Sequence, residues 1–124
     1  MKILIVDDSV FFREKLKKAI YSMNDNVLIL EELCYEDGEY AISCHRPDLV
    51  ILEIELQGKS GIKLLKKIKS LSISTKVILF THHLSEDFKS LCLEHGADYF
   101  FDKCKNFSQM LEVINSIVTD PANQ

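Results

Sequence analysis

The chain lacks any run of about 18 apolar residues, so no segment reads as a membrane-spanning helix. Its first residues, MKILIVDDSV, place five apolar residues and one lysine ahead of two carboxylates. A secretory signal needs a longer apolar stretch and a small-residue cleavage site, so this start reads as a buried strand of a cytoplasmic protein. An excess of basic residues is also missing. A net charge of −4 and a pI near 5.5 disfavour direct nucleic-acid contact and binding to anionic membranes. The four cysteines, Cys34, Cys44, Cys92 and Cys104, form no C-x-x-C pair, and no histidine stands at zinc-ligand spacing from two of them. Neither a zinc site nor a disulfide framework is expected, and most of these thiols are expected to be buried apolar groups. No low-complexity segment or linker interrupts the chain. Only residues 119–124, polar and containing Pro121, read as loose, which leaves one domain over residues 1–118. At 124 residues and 47 % apolar, that domain can bury a sizeable core.

What is present is an alternation of two patterns. Five short apolar runs read as strands: Ile3–Val6, Val27–Leu30, Leu49–Leu52, Val77–Phe80 and Tyr99–Phe101. The first, third and fourth show no polar alternation, as expected for strands of a parallel sheet covered on both faces. Amphipathic segments lie between them. Phe12, Leu16, Ala19, Ile20 and Met23 form one helical stripe with Lys and Arg between, capped by Ser9. Leu64, Leu65, Ile68 and Leu71 form a second after Ser60. Phe88, Leu91, Cys92 and His95 form a third, stopped by Gly96. Phe107, Leu111, Ile114 and Val118 form the last, and Glu36–Arg46 is a weaker helix ended by Pro47. Five strand–helix units imply a parallel α/β sheet with helices on both faces. Such sheets bind ligands beyond the carboxyl ends of their strands.

The residues at those ends form a chemically coherent set. Asp7 and Asp8 follow the first strand, Glu53 and Glu55 the third, Thr81 the fourth and Lys103 the fifth. Crowded carboxylates repel unless a cation neutralises them, and Mg²⁺ does so through oxygen ligands. An ammonium and a hydroxyl beside it suit a tetrahedral phosphoryl group. Taken singly, Asp8 reads equally as a loop or capping residue, Thr81 as a turn residue and Lys103 as a surface lysine. The joint placement at one end of four strands is what points to a site.

Over about residues 2–118 the sequence resembles the response-regulator receiver domains of two-component signalling. ILIVDDS is similar to their first strand and acidic pair, and PDLVILEIELQGKSGIKLLKKIK to the acceptor strand, its loop and the third helix. VILFTHH is similar to the strand with the switch hydroxyl, and GADYFFDK to the last strand and its lysine. The resemblance implies a flavodoxin-like (βα)5 doubly wound fold with strand order 2-1-3-4-5. It implies that Asp7 and Asp8 hold Mg²⁺, with a backbone carbonyl from Glu55. Thr81 would bond a phosphoryl group, Lys103 would pair with one of its oxygens, and Phe100 would stand at the switch-aromatic position. It further implies a histidine kinase or phosphotransfer protein as donor, an output partner on the α4-β5-α5 face, and homodimers as an option.

Position 53 departs from the family, which places the phosphorylated Asp there. Glu53 moves the carboxylate by about 1.5 Å, one C–C bond. A misplacement of about 1 Å can cost about 100-fold in rate. Glu53 is therefore either a substitution imitating the phosphorylated state or the mark of a pseudo-receiver, and it can also simply pair with Lys103. Smaller departures are Gln57 for a usual proline and Cys104 where many members have proline. His82 and His83 read as solvent-facing, with water gating as the alternative. An Mg²⁺-dependent phosphohydrolase is the alternative class, but the chain lacks a D-x-D pair and the length for a cap. A nucleotide-binding domain is disfavoured because Asp7-Asp8-Ser9 stands where a Gly-rich loop would be. The expectation is a switch and interaction module, not an enzyme.

Overall fold

The computed structural model describes residues 1–56, 59–71, 74–82 and 85–123. The apolar runs form a five-stranded parallel sheet: β1 (Lys2–Val6), β2 (Leu28–Glu32), β3 (Leu49–Leu52), β4 (Lys76–Thr81) and β5 (Tyr99–Asp102). Their spatial order is β2-β1-β3-β4-β5, the doubly wound order expected from the sequence. A separate two-rung antiparallel ladder joins Glu55–Leu56 to Lys59–Ser60, an element the apolar pattern did not reveal.

The helices are α1 (Val10–Met23), α2 (Tyr35–His45), α3 (Gly61–Leu71), α4 (Glu86–Glu94) and α5 (Phe107–Val118). Alternate side chains of each strand point to opposite faces, which divides the core in two. Ile3, Ile5, Leu49, Ile51, Ile78 and Phe80 pack with α1 and α5 through Leu16, Ile20, Met110 and Ile114. Leu4, Val6, Val50, Leu52, Val77 and Leu79 pack with α2, α3 and α4 through Ile42, Leu64, Leu65, Ile68 and Cys92. Ser9 caps α1, its Oγ accepting from the Phe12 amide at 3.3 Å. Ser60 serves α3 in the same way, accepting from Ile62 at 3.2 Å. Gly96, at φ +101°, turns the chain out of α4, a conformation open to glycine.

Several expectations are corrected. The second strand runs two residues further than Leu30, and the weak helix begins at Tyr35 and ends before Arg46, whose φ of 46° closes it. Leu71 and Leu91 are exposed, because each stripe was read one turn or one residue wider than the sheet it covers. His95 caps α4 and is half-buried rather than forming part of its buried face. Of the cysteines only Cys92 is buried; Cys34 is half-buried, and Cys44 and Cys104 are exposed. Residues 121–123 of the expected loose tail form a 3₁₀ turn. No helix among the described residues is long and apolar enough to cross a membrane.

Candidate functional site

Register explains why distant residues meet. Val6 lies opposite Leu52, and Thr81 lies opposite Asp102. The next residues therefore leave the sheet side by side. The ladder continues into them: the Glu53 amide donates to the Val6 carbonyl at 2.9 Å and the Lys103 amide to the Thr81 carbonyl at 3.0 Å. Asp7, Glu53, Thr81 and Lys103 are thus fixed by main-chain bonds before any side chain interacts.

Lys103 is the centre of the arrangement. Its ammonium lies 2.7 Å from Asp7 Oδ2 and 2.9 Å from Glu53 Oε1, and all three side chains are almost fully buried. It also stands 4.4 Å above the Phe12 ring, which closes one side of the site. One ammonium cannot neutralise two carboxylates. Burial lifts the Asp7 carboxyl above its usual range, against the bonds from Lys103 and the Ser9 amide, and the Glu53 charge adds to the lift. Burial also works against the Lys103 ammonium, but Asp7 and Glu53 outweigh it and hold the lysine pKa above its ordinary value.

The remaining carboxylate oxygens are engaged with backbone. Asp7 Oδ1 accepts from Ser9 at 2.9 Å. Glu53 Oε2 folds back to accept from the Ile54 amide at 2.7 Å and, more weakly, from Glu55 at 3.4 Å. Asp8 and Glu55 are exposed at the mouth, and Thr81 is fully buried beside the lysine's strand. Phe100 is half-buried, packed on the α2–α4 side of the core, and lines a small cleft with Glu86, Lys89, Asp102 and Asn106. His82 is exposed, as expected, while His83 and Gln57 lie outside the described residues. The peptide before Cys104 is trans.

The structure thus brings Asp7, Glu53 and Lys103 into contact, with Thr81 alongside. It does not bring Phe100 against them. The donors fit Mg²⁺ by type: two adjacent aspartates and a nearby carbonyl are hard oxygen ligands, and the Asp7–Lys103–Glu53 group retains a net negative charge. Among the described residues, however, no three acidic, histidine or cysteine side chains converge as a ready-made metal cluster. A cavity of about 360 Å³ lies at the other end of the sheet among Arg46, Pro47, Asp48, Thr75 and Lys76, and shares none of these site residues.

One residue of the site escaped the sequence pattern. Arg13, read as a polar residue between apolar positions of α1, is buried. Its Nη1 donates to the Asp7 carbonyl at 2.7 Å and its Nε to Glu31 at 3.2 Å. Its position one turn after the Ser9 cap was the available signal, since that turn faces the strand ends.

The family described as the response regulator receiver domain matches residues 3–115. A putative transcriptional regulator of Pseudomonas aeruginosa is 32 % identical over 120 residues, covering 94 % of this chain and 56 % of that protein. The chain thus spans little more than half of that relative. The Bacillus subtilis protein CcdB is 31 % identical, with 94 % of this chain and 97 % of that protein covered. A chain of the crystallised CheX–CheY–BeF₃–Mg²⁺ complex of Borrelia burgdorferi superposes with a TM-score of 0.85 at 26 % identity, over 97 % of this chain and 90 % of that one.

Proposed function

The chain belongs to the response-regulator receiver family and is a signal-transduction receiver domain, and from that premise we propose that Glu53 makes it a switch whose acceptor is closed internally. The observation that carries this reading is the double engagement of the Glu53 carboxylate: Oε1 on Lys103 and Oε2 on the Ile54 amide. A nucleophilic carboxylate must present an oxygen in line with the phospho-donor. Here both oxygens are held, and the residue is buried. The lysine that reads a phosphoryl oxygen is already paired. The domain therefore works as a protein-interaction module that does not depend on phosphoryl transfer to position 53.

The roles of the other residues follow from that reading. Asp7 and Asp8, with the Glu55 carbonyl, would hold Mg²⁺, which would supply positive charge to a crowded acidic site. Thr81, Lys103 and Phe100 carry the state of the site to the α4–β5–α5 face. Leu91, Leu93 and Tyr99 are exposed on α4 and β5, apolar area of the kind partner proteins cover. Receivers take input from histidine kinases or phosphotransfer proteins, and that is the class of partner proposed for this chain.

Incubation with acetyl phosphate and Mg²⁺, followed by intact mass, tests the proposal. The unaltered chain should stay unmodified, and Glu53→Asp should gain one phosphoryl group. A stable phosphoryl gain on the unaltered chain would sink the reading. If Glu53→Asp also stays unmodified, loss of acceptance extends beyond position 53 and the pseudo-receiver form of the reading stands. A shift of the Thr81 and Phe100 resonances between the two unphosphorylated forms would favour imitation of the phosphorylated state instead.

A further inference from the structure

Cys104 and His82 meet at the rim of the site. Cys104 Sγ lies 3.2 Å from His82 Nδ1, and both side chains are exposed. The pair joins the segment after β4 to the segment after β5, one residue beyond Thr81 and one beyond Lys103. Neither half is loose. The Cys104 amide donates to Asp102 Oδ1 at 2.7 Å, and the His82 ring stands edge-on to Phe12 with centroids 6.0 Å apart. The same Phe12 ring carries the Lys103 ammonium. The thiol is therefore linked to the bridging lysine along the chain and also through His82 and Phe12.

We propose that Cys104, with His82 as its general base, is a thiol-modification site that reacts with low-molecular-weight disulfides and so gives this receiver an input separate from phosphate. With its proton on Nε2, the imidazole accepts the Cys104 proton at Nδ1. The thiolate attacks one sulfur of the disulfide. A new S–S bond forms to Cys104, the reagent's own S–S bond breaks, and the departing thiolate takes the proton from the imidazolium. The adduct removes the thiol proton and with it the hydrogen bond between Cys104 and His82. Freed of that bond, the His82 ring, which directly follows Thr81 in sequence, can leave Phe12, the ring that lies under the Lys103 ammonium.

The other cysteines provide internal references. Cys44 is exposed and has the Tyr40 hydroxyl beside it instead of an imidazole. Cys92 is buried, and burial pushes its thiol up to about 11, so it should stay unreactive in the folded chain.

The test is incubation of the full chain with oxidised glutathione at neutral pH, with peptide mapping of adducts over time. Cys104 should react about tenfold faster than Cys44, below the ceiling of about thirtyfold that exists because a free thiol is only a few per cent ionised at pH 7. His82→Gln should bring Cys104 down to the Cys44 rate and leave Cys44 itself unchanged. Equal rates at Cys44 and Cys104 in the unaltered chain, or a Cys104 rate indifferent to His82→Gln, would overturn the proposal. In a Cys44→Ser background, the Cys104 adduct should also shift the Thr81 and Lys103 amide resonances. Unmoved resonances would overturn the link to the switch. None of these readouts involves phosphate, so they stand or fall apart from the reading of Glu53.

Discussion

Replacing Lys103 by methionine keeps most of the side-chain volume and removes the one charge that Asp7 and Glu53 share. Two buried carboxylates then face each other without a cation. Breaking a buried ion pair on one side costs about 3–5 kcal/mol. A second route caps that figure, because one carboxyl can take up a proton instead. From an ordinary carboxyl pKa of about 4, protonation costs about 1.4 kcal/mol per pH unit, hence about 4 kcal/mol at pH 7 and about 1.4 at pH 5. The expected loss is therefore about 3–4 kcal/mol at pH 7, narrowing to about 1–2 kcal/mol at pH 5. The sign follows from linkage. The variant's native state holds a proton that its unfolded state has released, so its stability rises as pH falls. Asp7 already leans that way in the unaltered chain, its pKa being raised above 3.8. Urea unfolding of both proteins at the two pH values measures the difference. A loss below about 1 kcal/mol at pH 7, or one that is the same at both pH values, would refute the shared-cation account.

Three further outcomes follow. Gly61→Ala should be destabilised by at least about 2 kcal/mol in denaturant melts, because a Cβ would stand 2.6 Å from the Glu53 carbonyl oxygen and 2.7 Å from Ile54 Cα, backbone that cannot step aside. Arg13→Ala should lose about 2 kcal/mol, since it strips a charged donor from the buried Asp7 carbonyl and a partner from Glu31; an unchanged unfolding midpoint would count against that role. Asp8→Asn should abolish Mg²⁺ binding followed by calorimetry while leaving the unfolding midpoint within about 0.5 kcal/mol, as suits an exposed side chain; an unchanged Mg²⁺ affinity would refute the assigned role.

The sheet and its site were legible for different reasons. Uninterrupted Ile, Val and Leu in β1, β3 and β4 mark strands covered on both faces, and those strands formed as expected. Because parallel strands end together, reading the residue expected after each was enough to assemble Asp7, Glu53, Thr81 and Lys103, although Thr81 proves to be the last residue of β4 and not the one after it. Periodicity could not show how far each helix overhangs the sheet. That is why Leu71, at the end of α3, stays exposed; Leu91 stays exposed because the buried face of α4 is one residue narrower than its apolar stripe. Nor does it carry information about a buried cation such as Arg13, whose place is paid for by two oxygen partners rather than by apolar contact. The cysteines misled because thiol burial was inferred from residue type alone. Only Cys92 sits on a helix face directed at the sheet.

Gly61 and Gly38 also fix how the domain can deform. Gly61 backs onto the main chain of residues 53 and 54, and its amide holds the Ile54 carbonyl at 2.6 Å. A Cβ at Gly38 would meet Val6 at 3.1 Å and Leu64 at 3.2 Å. The start of α3 is therefore set backbone against backbone on residues 53 and 54, like a block in an abutment, while α2 lies close over the side chains at the end of β1 and on α3. A displacement at position 53 meets an unyielding wall on that side. On the proposed reading of the site, the give would lie across the sheet, toward β4 and β5, so the glycines would bias the direction in which a signal leaves the site without taking part in its chemistry.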